Sequence, residues 1–245
     1  MSYKPTVVLV PGAWATPTFY DQLQSCLTER GIATEAVTHQ STGAEPPVTT
    51  LGDDVSKLHT SLQRLCDSGK DIIVVAHSYG GLVSSGAVEG LEKPTRQVKG
   101  QQGGVVMILY MTAFVLPKGL SILRASGGQL MPWIRSEGSY SYSTAGGEGS
   151  FHDLSPAEQS HWLTNLTHTS VSIFLGDTTH EPWHIIPTAY ILGEEDRMLP
   201  VEMQEYMVKT LGTSQTYRLK ASHFPFLSMP QKVADIVEEI YHREI

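Results

Sequence analysis

Residues 71–82 read DIIVVAHSYGGL, and this stretch decides the fold of the chain. Its continuous β-branched run is typical of a strand buried on both faces of a sheet. Ser78 follows the run directly, and Gly80 and Gly81 then open a segment with a helical pattern. A sharp turn between strand and helix exposes a serine hydroxyl and directs the following backbone N–H groups toward it. The stretch therefore predicts that Ser78 is a nucleophile.

The turn around this serine departs from the usual G-x-S-x-G pattern at one position. Ala76 stands where the first glycine is expected, and Gly80 occupies the second small position. Alanine is the next smallest residue, so the tight turn remains feasible. The alternative interpretation is a glycine turn with an incidental serine, and the flanking strand and helix patterns argue against it.

Strand and helix patterns alternate on both sides of this stretch. Short apolar runs predict further strands near residues 6–10, 32–38, 105–110, 188–192 and 216–219. Caps and amphipathic spacing predict helices near residues 17–30, 51–66, 80–89, 200–211 and 230–242, and a polar loop is expected at 93–102. Such alternation is typical of an α/β fold, in which a parallel sheet carries helices on both faces.

The alternation stops between residues 116 and 186. This segment is rich in Gly and Ser over 136–150 and shows only weak helical signals near 156–166. A structureless loop of this length is implausible inside a compact domain. We therefore predict an α/β core formed by residues 1–115 and 187–245, with residues 116–186 inserted as a cap or lid over the carboxyl ends of the strands.

Three chemically active residues follow predicted strands in a defined order. Ligands of open parallel sheets bind at the carboxyl ends of the strands. Ser78, Asp196 and His223 fall at such ends, in the order Ser–Asp–His that is typical of α/β-hydrolases. In this interpretation His223 takes the proton of Ser78, and Asp196 holds the imidazole in the correct tautomer.

Alternatives remain for two of these residues. Glu194 or Glu195 could serve as the acid, and Asp196 could cap the following helix instead. Asp196 is favoured because it lies just past the strand, on the loop that leads to the helix, while the preceding strand is followed by no acidic residue until Glu137. His223 on its own could be an ordinary loop histidine.

The predicted nucleophile also needs two hydrogen-bond donors for an oxyanion. The backbone N–H of Tyr79 is one candidate. The other is the N–H of Ala13, in the PGAW turn after the first strand. Gly12 would let that backbone approach closely.

Aromatic residues are candidates for an apolar substrate pocket. Trp14 and Phe224 neighbour the predicted site in sequence, and Trp133 and Trp162 lie in the inserted segment together with Trp183. We predict Trp14, Trp133, Trp162 and Phe224 as substrate-binding residues. For any one of them, packing within the cap is the alternative.

Composition limits the partners of the chain. A net charge of −8 and a pI near 5.6 argue against binding to nucleic acid or to an anionic membrane, and favour a neutral or cationic small molecule. The longest apolar run, residues 105–116, is too short to span a bilayer, and the N-terminus leaves no room for a signal peptide. Cys26 and Cys66 have no metal-binding spacing. A cytoplasmic protein with reduced cysteines is therefore expected.

One motif competes with this interpretation. Residues 180–184 read HEPWH and match the H-E-x-x-H pattern that binds zinc when it lies on a helix. Pro182 would cost such a helix about 3 kcal/mol, and no third ligand follows at a suitable spacing. We predict no metal site and interpret the motif as the return of the cap to the sheet.

Taken together, residues 8–14, 74–82 and 186–230 carry a family resemblance. The chain resembles the compact α/β-hydrolases of the group that contains plant methyl esterases and hydroxynitrile lyases. The resemblance implies a mostly parallel six-stranded core, the triad Ser78–Asp196–His223 and no cofactor. Relatives of this group are often dimers, so the resemblance allows a homodimer.

Two departures from the group bear on activity. In the esterases a histidine precedes the first glycine of the turn, where this chain has Pro11. The lyases that release cyanide have a lysine after the triad histidine, where this chain has Phe224. Phe224 cannot stabilise departing cyanide, so hydroxynitrile lyase activity is not expected.

The sequence therefore favours a carboxylesterase or lactonase that acts on a small to medium apolar ester through an acyl-enzyme. One alternative keeps the triad for a lyase or cyclase step on a natural product, with His223 as base. Another is a ligand receptor on the same fold, without catalysis.

Overall fold

The strands of the chain fall into two sheets. A computed structural model describes residues 5–243. Residues 1–4 and 244–245 lie outside this range, and so does most of the N-terminus for which no signal peptide is expected. The strands are β1 (Thr6–Val10), β2 (Thr34–Ala36), β3 (Asp71–His77), β4 (Gly104–Met111), β5 (Ile134–Glu137), β6 (Tyr140–Ser143), β7 (Thr169–Ser170), β8 (Thr188–Gly193) and β9 (Thr216–Leu219).

Six of these strands form the central sheet, in the order β2–β1–β3–β4–β8–β9, and all of its pairings are parallel. The prediction of a six-stranded, mostly parallel sheet is confirmed. Val10 pairs with Ala76, and His77 pairs with Met111, so β1, β3 and β4 end side by side. The chain reverses its direction across the sheet between β1 and β3, which is where open α/β sheets bind ligands.

The helices are α1 (Asp21–Glu29), α2 (Leu51–Asp67), α3 (Gly80–Ala87), α4 (Lys93–Val98), α5 (Ile122–Ala125), α6 (Gly146–Ser150), α7 (Pro156–Asn165), α8 (Val201–Leu211), α9 (Pro225–Ser228) and α10 (Pro230–Arg243). A short 3₁₀ helix, Pro17–Tyr20, precedes α1. Helix α1 packs against α10, and α2 packs against α3. Helix α1 connects β1 to β2, and α2 connects β2 to β3 in the opposite direction across the sheet. Because such crossovers are right-handed, α1 and α2 lie on opposite faces of the sheet.

Strand β3 forms the centre of the core. Ile72, Ile73, Val74 and Val75 have no exposed surface, as the continuous β-branched run predicts. Burial of each such side chain stabilises the fold by about 1.5–3 kcal/mol. The serine turn therefore follows a strand whose apolar residues are fully buried.

The chain between β4 and β8 has secondary structure of its own. Strands β5, β6 and β7 form a small antiparallel sheet, and α5, α6 and α7 accompany it. This sheet and the turn that follows it are bonded to the loop before α2. The hydroxyl of Ser170, in β7, donates to the carbonyl of Pro47 at 2.6 Å, and the hydroxyl of Ser172, just after β7, donates to the carbonyl of Thr49 at 2.7 Å. The division into core and cap stays a prediction.

The prediction of a polar loop at residues 93–102 is wrong in part, because Lys93–Val98 form α4. This helix has no apolar face that a sequence pattern could reveal, and its Val98 is 90% exposed. Polar contacts fix it instead. Arg96 is buried and donates to the carbonyl of Gly103 at 3.0 Å and to the Asp67 carboxylate at 2.8 Å.

Within residues 5–243, every helix is too short or too polar to cross a bilayer.

Candidate active site

Ser78 lies in the turn between β3 and α3 and has a strained backbone. Its φ angle is 52°, in the left-handed region where residues other than glycine are uncommon. Such a conformation costs about 1–3 kcal/mol and persists only where the surrounding structure enforces it. A Cβ atom on Gly80 would lie 2.5 Å from the carbonyl oxygen of Pro11. Glycine is therefore required at position 80 for the turn to pack against the end of β1.

Ser78, His223 and Asp196 form a hydrogen-bonded series. His223 Nε2 lies 2.9 Å from Ser78 Oγ, and His223 Nδ1 lies 2.7 Å from Asp196 Oδ2. If Nδ1–H donates to the carboxylate, Nε2 has the free lone pair that accepts the serine proton. All three residues are at most 6% exposed, so solvent weakens these bonds little. The structure thus brings together the three residues that the sequence placed at strand ends.

The Asp196 carboxylate is held by its own loop. Its Oδ1 atom accepts from the N–H groups of Met198 and Leu199, at 2.8 and 2.9 Å. The buried Gln204 amide donates to the carbonyls of Gly193 and Leu199, which lie on either side of the aspartate. Asp196 can therefore keep its position while the histidine ring changes charge.

The two alternative acids point elsewhere. Glu194 accepts from Arg218 at 2.9 Å, and Glu195 is exposed to solvent. Of the three acidic side chains after β8, Asp196 is the one that bonds to the His223 ring.

Two residues that the sequence analysis did not identify hold the His223 loop. The carbonyl oxygen of His223 accepts from His77 Nε2–H at 2.8 Å and from the Thr112 hydroxyl at 2.9 Å. Burial, followed by the nearby His223 ring, lowers the pKa of His77 well below its ordinary value. His77 is therefore neutral near neutral pH and acts as a donor to the loop. The sequence AHSYG shows a histidine at position 77, but nothing in it indicates that this histidine bonds to the carbonyl of His223.

Backbone strain is concentrated around these residues. Within residues 5–243, the non-glycine residues with positive φ are Trp14, Ser78 and Thr112, with angles of 66°, 52° and 43°. They follow the ends of β1, β3 and β4. Strained residues of this kind cluster at active sites and ligand-binding segments, so their position supports a functional site at this edge of the sheet.

The structure places both candidate oxyanion donors near Ser78. Tyr79 directly follows the serine, and the turn containing Ala13 packs against it, because a Cβ on Gly12 would lie 2.9 Å from Ser78 Cβ. Among the residues that the structure describes, neither the Tyr79 N–H nor the Ala13 N–H donates a hydrogen bond. Both donors are therefore free to bind an oxyanion, and their role stays a prediction.

Two of the predicted substrate-binding tryptophans are held by the protein itself. Trp14 is 4% exposed, and its Nε1–H donates to the Ser141 carbonyl at 3.1 Å. Trp133 packs edge-on against Trp14, with 5.9 Å between ring centroids, and its Nε1–H donates to the Met198 carbonyl at 3.0 Å. Packing accounts for both side chains, and substrate contact stays a prediction.

The other two predicted residues belong to a cluster of aromatic rings. Trp162 packs on Phe19, with 4.6 Å between ring centroids. Phe224 is buried and packs on His77 and on Phe151, at 4.7 Å in both cases. Phe224 therefore lies beside the ring of the candidate base His223. Trp162 contacts Phe19 instead, whose ring lies 5.8 Å from that of Phe224.

The H-E-x-x-H residues do not form a helical metal site. Pro182–His184 form a 3₁₀ helix. His180 bonds to Glu92 at 2.6 Å, and His184 bonds to Glu181 at 2.9 Å. In the described part of the chain, no group of three or more His, Cys, Asp or Glu side chains is arranged to hold a metal ion.

Sequence comparison relates the chain to known proteins over nearly its full length. A family model described as the alpha/beta hydrolase family matches residues 7–236. The alpha/beta hydrolase nvfD of Aspergillus novofumigatus (strain IBT 16806) is 30% identical over 244 residues, which cover 96% of this chain and 95% of that protein.

Solved structures with the same fold include enzymes of different names. Tomato methylketone synthase I, complexed with 2-tridecanone, has a TM-score of 0.78 at 17% identity and covers 99% of both chains. A pyrethroid hydrolase from Sphingobium faniae JZ-2 has a TM-score of 0.77 at 21% identity and covers 97% of both chains. At these identities the likeness shows the shared fold.

Proposed function

The chain belongs to the alpha/beta hydrolase family, as its sequence resemblance predicts, and on this premise we propose that it is a serine hydrolase. Its proposed substrate is a small to medium, largely apolar carboxylic ester or lactone. The hydrogen-bonded series Ser78–His223–Asp196 carries the proposal. A serine hydroxyl becomes an effective nucleophile when an adjacent base, itself oriented by an acid, can take its proton.

In the acylation step, Ser78 Oγ attacks the carbonyl carbon of the ester while His223 Nε2 takes the hydroxyl proton. Asp196 stabilises the imidazolium that forms. The N–H groups of Tyr79 and Ala13 bind the oxyanion of the tetrahedral intermediate. When that intermediate collapses, the imidazolium gives its proton to the departing alkoxide and the acyl group stays on Ser78.

Deacylation repeats these steps with water. His223 takes a proton from the water molecule that attacks the acyl-enzyme, and then returns it to Ser78 Oγ as the carboxylic acid leaves. With a lactone substrate, the alcohol and the acid released are two ends of one molecule. The mechanism needs no cofactor.

An apolar substrate is proposed because aromatic side chains adjoin the proposed donor and base. Trp14 follows the candidate donor Ala13, and its ring lies 5.6 Å from the ring of Phe174. Phe224 follows the proposed base His223. A protein of similar fold is named a pyrethroid hydrolase, which is consistent with an apolar ester in a site of this architecture.

A serine-directed fluorophosphonate tests the proposal. We expect the wild type to be labelled at Ser78 and to turn over p-nitrophenyl acetate, and Ser78→Ala to lose both properties. Ser84→Ala is the matched control, because Ser84 is buried on α3 and its hydroxyl has no hydrogen-bond partner among the described residues. A folded wild type that is not labelled contradicts the proposal.

A second proposed function keeps the triad for a lyase or cyclase step on a natural product, with His223 as base. The shared fold with a methylketone synthase favours it, because that protein is named a synthase. This alternative predicts labelling of Ser78 with negligible turnover of p-nitrophenyl acetate.

A further inference from the structure

Two buried polar residues outside the proposed triad bond to the turns that carry the oxyanion donors. They are His39, which is 3% exposed, and Asp54, which is 1% exposed. The proposed mechanism uses neither of them. Burial of polar groups is costly unless they are bonded, so their partners indicate what these two residues do.

Asp54 anchors the side chain of Tyr79. Its Oδ2 atom accepts from the Tyr79 hydroxyl at 2.8 Å. Ser41 donates to the same carboxylate through its N–H at 2.9 Å and its hydroxyl at 2.6 Å. Because Tyr79 is also the residue whose N–H is proposed to bind the oxyanion, an anchor at the far end of its side chain limits rotation of that residue. This anchor is therefore one constraint on the direction of the Tyr79 N–H.

His39 holds the other turn. Its Nε2–H donates to the carbonyl oxygen of Pro11 at 2.7 Å. The same oxygen is the atom closest to where a Cβ on Gly80 would lie, so it is packed between His39 and the start of α3. Ala13 lies two residues beyond Pro11. The bond from His39 therefore fixes the turn that presents the Ala13 N–H.

The second anchor, His39, also contacts the residue that Asp54 holds. The His39 ring packs edge-on against the Tyr79 ring, with 5.2 Å between centroids. Burial lowers the pKa of His39, so the ring is neutral near neutral pH. Ser78 and Trp14, which adjoin the two donors in sequence, both have strained backbones. Strained backbone keeps its geometry only where contacts of this kind enforce it.

We propose that Asp54 and His39 are positioning residues of the oxyanion hole. Asp54 orients the Tyr79 N–H through the tyrosine hydroxyl, and His39 orients the Ala13 N–H through the Pro11 carbonyl. This inference rests on the proposed hydrolase function. Both residues act through another residue, Asp54 through a side chain and His39 through a backbone carbonyl. Their effect belongs to the transition state, where the oxyanion forms.

Tyr79→Phe tests the first anchor, because it keeps the ring and removes only the hydroxyl. We expect kcat for p-nitrophenyl acetate to fall about ten- to hundredfold, less than the loss of a whole oxyanion donor, with KM changed by no more than about twofold. Asp54→Asn weakens the same contact from the other side and is expected to lower kcat in the same way. Tyr110→Phe is the matched control, since the Tyr110 hydroxyl is also buried and lies 2.9 Å from the Ser85 hydroxyl.

His39→Leu and His39→Gln test the second anchor. Glutamine can place an N–H donor near the position of Nε2, whereas leucine cannot. We expect His39→Leu to lower kcat by about tenfold or more, and His39→Gln to recover most of that loss. Equal losses in the two variants would assign His39 a packing role and overturn its part of the proposal.

A trifluoromethyl ketone inhibitor separates positioning from packing. Ser78 Oγ adds to its carbonyl carbon while His223 takes the proton, which leaves an oxyanion in the proposed hole. In Tyr79→Phe the inhibition constant should rise by the factor by which kcat/KM falls. An unchanged inhibition constant, or a raised KM with unchanged kcat, would overturn the inference while leaving the proposed function intact. A wild type without labelling or turnover contradicts the proposed function itself, and the inference with it.

Discussion

His77 joins the strand that carries the proposed nucleophile to the loop that carries the proposed base. Its ring is fully buried, and its Nε2–H donates to the carbonyl of His223. Its Nδ1 atom faces Gly12, where a Cβ would lie 2.9 Å away. A proton on Nδ1 would be buried without an acceptor among the described residues. The site therefore depends on a histidine that stays neutral.

Acidification is expected to destabilise the fold through His77. Its pKa in the folded protein lies well below the ordinary value of 6.5, whereas in the unfolded chain the imidazole titrates normally. Between these two values the unfolded state binds one more proton, so the free energy of unfolding falls as the pH falls, by up to about 1.4 kcal/mol per pH unit. This stability is present above about pH 6.5 and lost below it. Urea unfolding at a series of pH values measures the decrease.

His77→Gln isolates this contribution. Glutamine can donate to the His223 carbonyl but does not titrate, so the variant should show a shallower pH dependence than the wild type. His242→Gln is the control, because the His242 side chain is 66% exposed. Equal slopes for His77→Gln and the wild type would show that His77 titrates normally in the folded protein.

The residues of the proposed site differ in how far the sequence can predict them. Ser78, Asp196 and His223 can be predicted as a triad because a turn motif and a chain order are one-dimensional patterns. The residues that support them leave no such pattern. His39 and His77 donate to backbone carbonyls 28 and 146 positions away in sequence, and every residue type has a carbonyl.

Helix α2 presents Asp54 in its first turn, and a capping box fixes where that turn begins. Thr50 Oγ1 accepts from the N–H of Asp53, and the Asp53 carboxylate accepts from the Thr50 N–H at 2.8 Å. These bonds from Thr50 lower the pKa of Asp53. The cap thus sets the position of the next residue, Asp54.

Thr50→Ala is expected to lower the free energy of unfolding by about 1 kcal/mol, because it removes the side chain that caps the helix. Urea unfolding provides the measurement. Thr60→Ala makes the same chemical change inside α2, where the Thr60 hydroxyl bonds back to the Ser56 carbonyl. That control should be neutral or stabilising, since alanine favours helix interiors. Similar destabilisation by both changes would argue against the cap.

Elements with a buried apolar face could be predicted, and elements held by polar contacts could not. The spacing of Leu51, Leu58 and Leu62 marked α2, and all three are buried. Helix α4 and the hairpin β5–β6 have no comparable spacing; three of the four residues of β5 are exposed. Their structure depends on contacts with distant parts of the chain.

Hydrogen exchange should separate the central sheet from the segment inserted between β4 and β8. Strands β3 and β4 have paired neighbours on both sides and are almost fully buried, whereas α7 contributes no buried residue. We expect the amides of β3 and β4 to exchange slowest, and those of β5, β6 and α7 at least about a hundredfold faster, because they open without unfolding of the core. Equal protection throughout would show that the segment unfolds together with the sheet.

The contacts of Trp14 limit which changes the segment between β4 and β8 can accept. The indole N–H of Trp14 donates to the Ser141 carbonyl, and the Trp14 carbonyl accepts from the Thr167 N–H at 3.0 Å. Both contacts use backbone atoms of the inserted segment, so side chains of that segment can be exchanged without losing them. The backbone of that segment cannot be rerouted in the same way, because its bonds hold Trp14, and Trp14 directly follows the proposed donor Ala13. We expect a chimera that carries a foreign segment to keep the turn of the proposed oxyanion donor Ala13 only if that segment follows the same path, whatever its sequence.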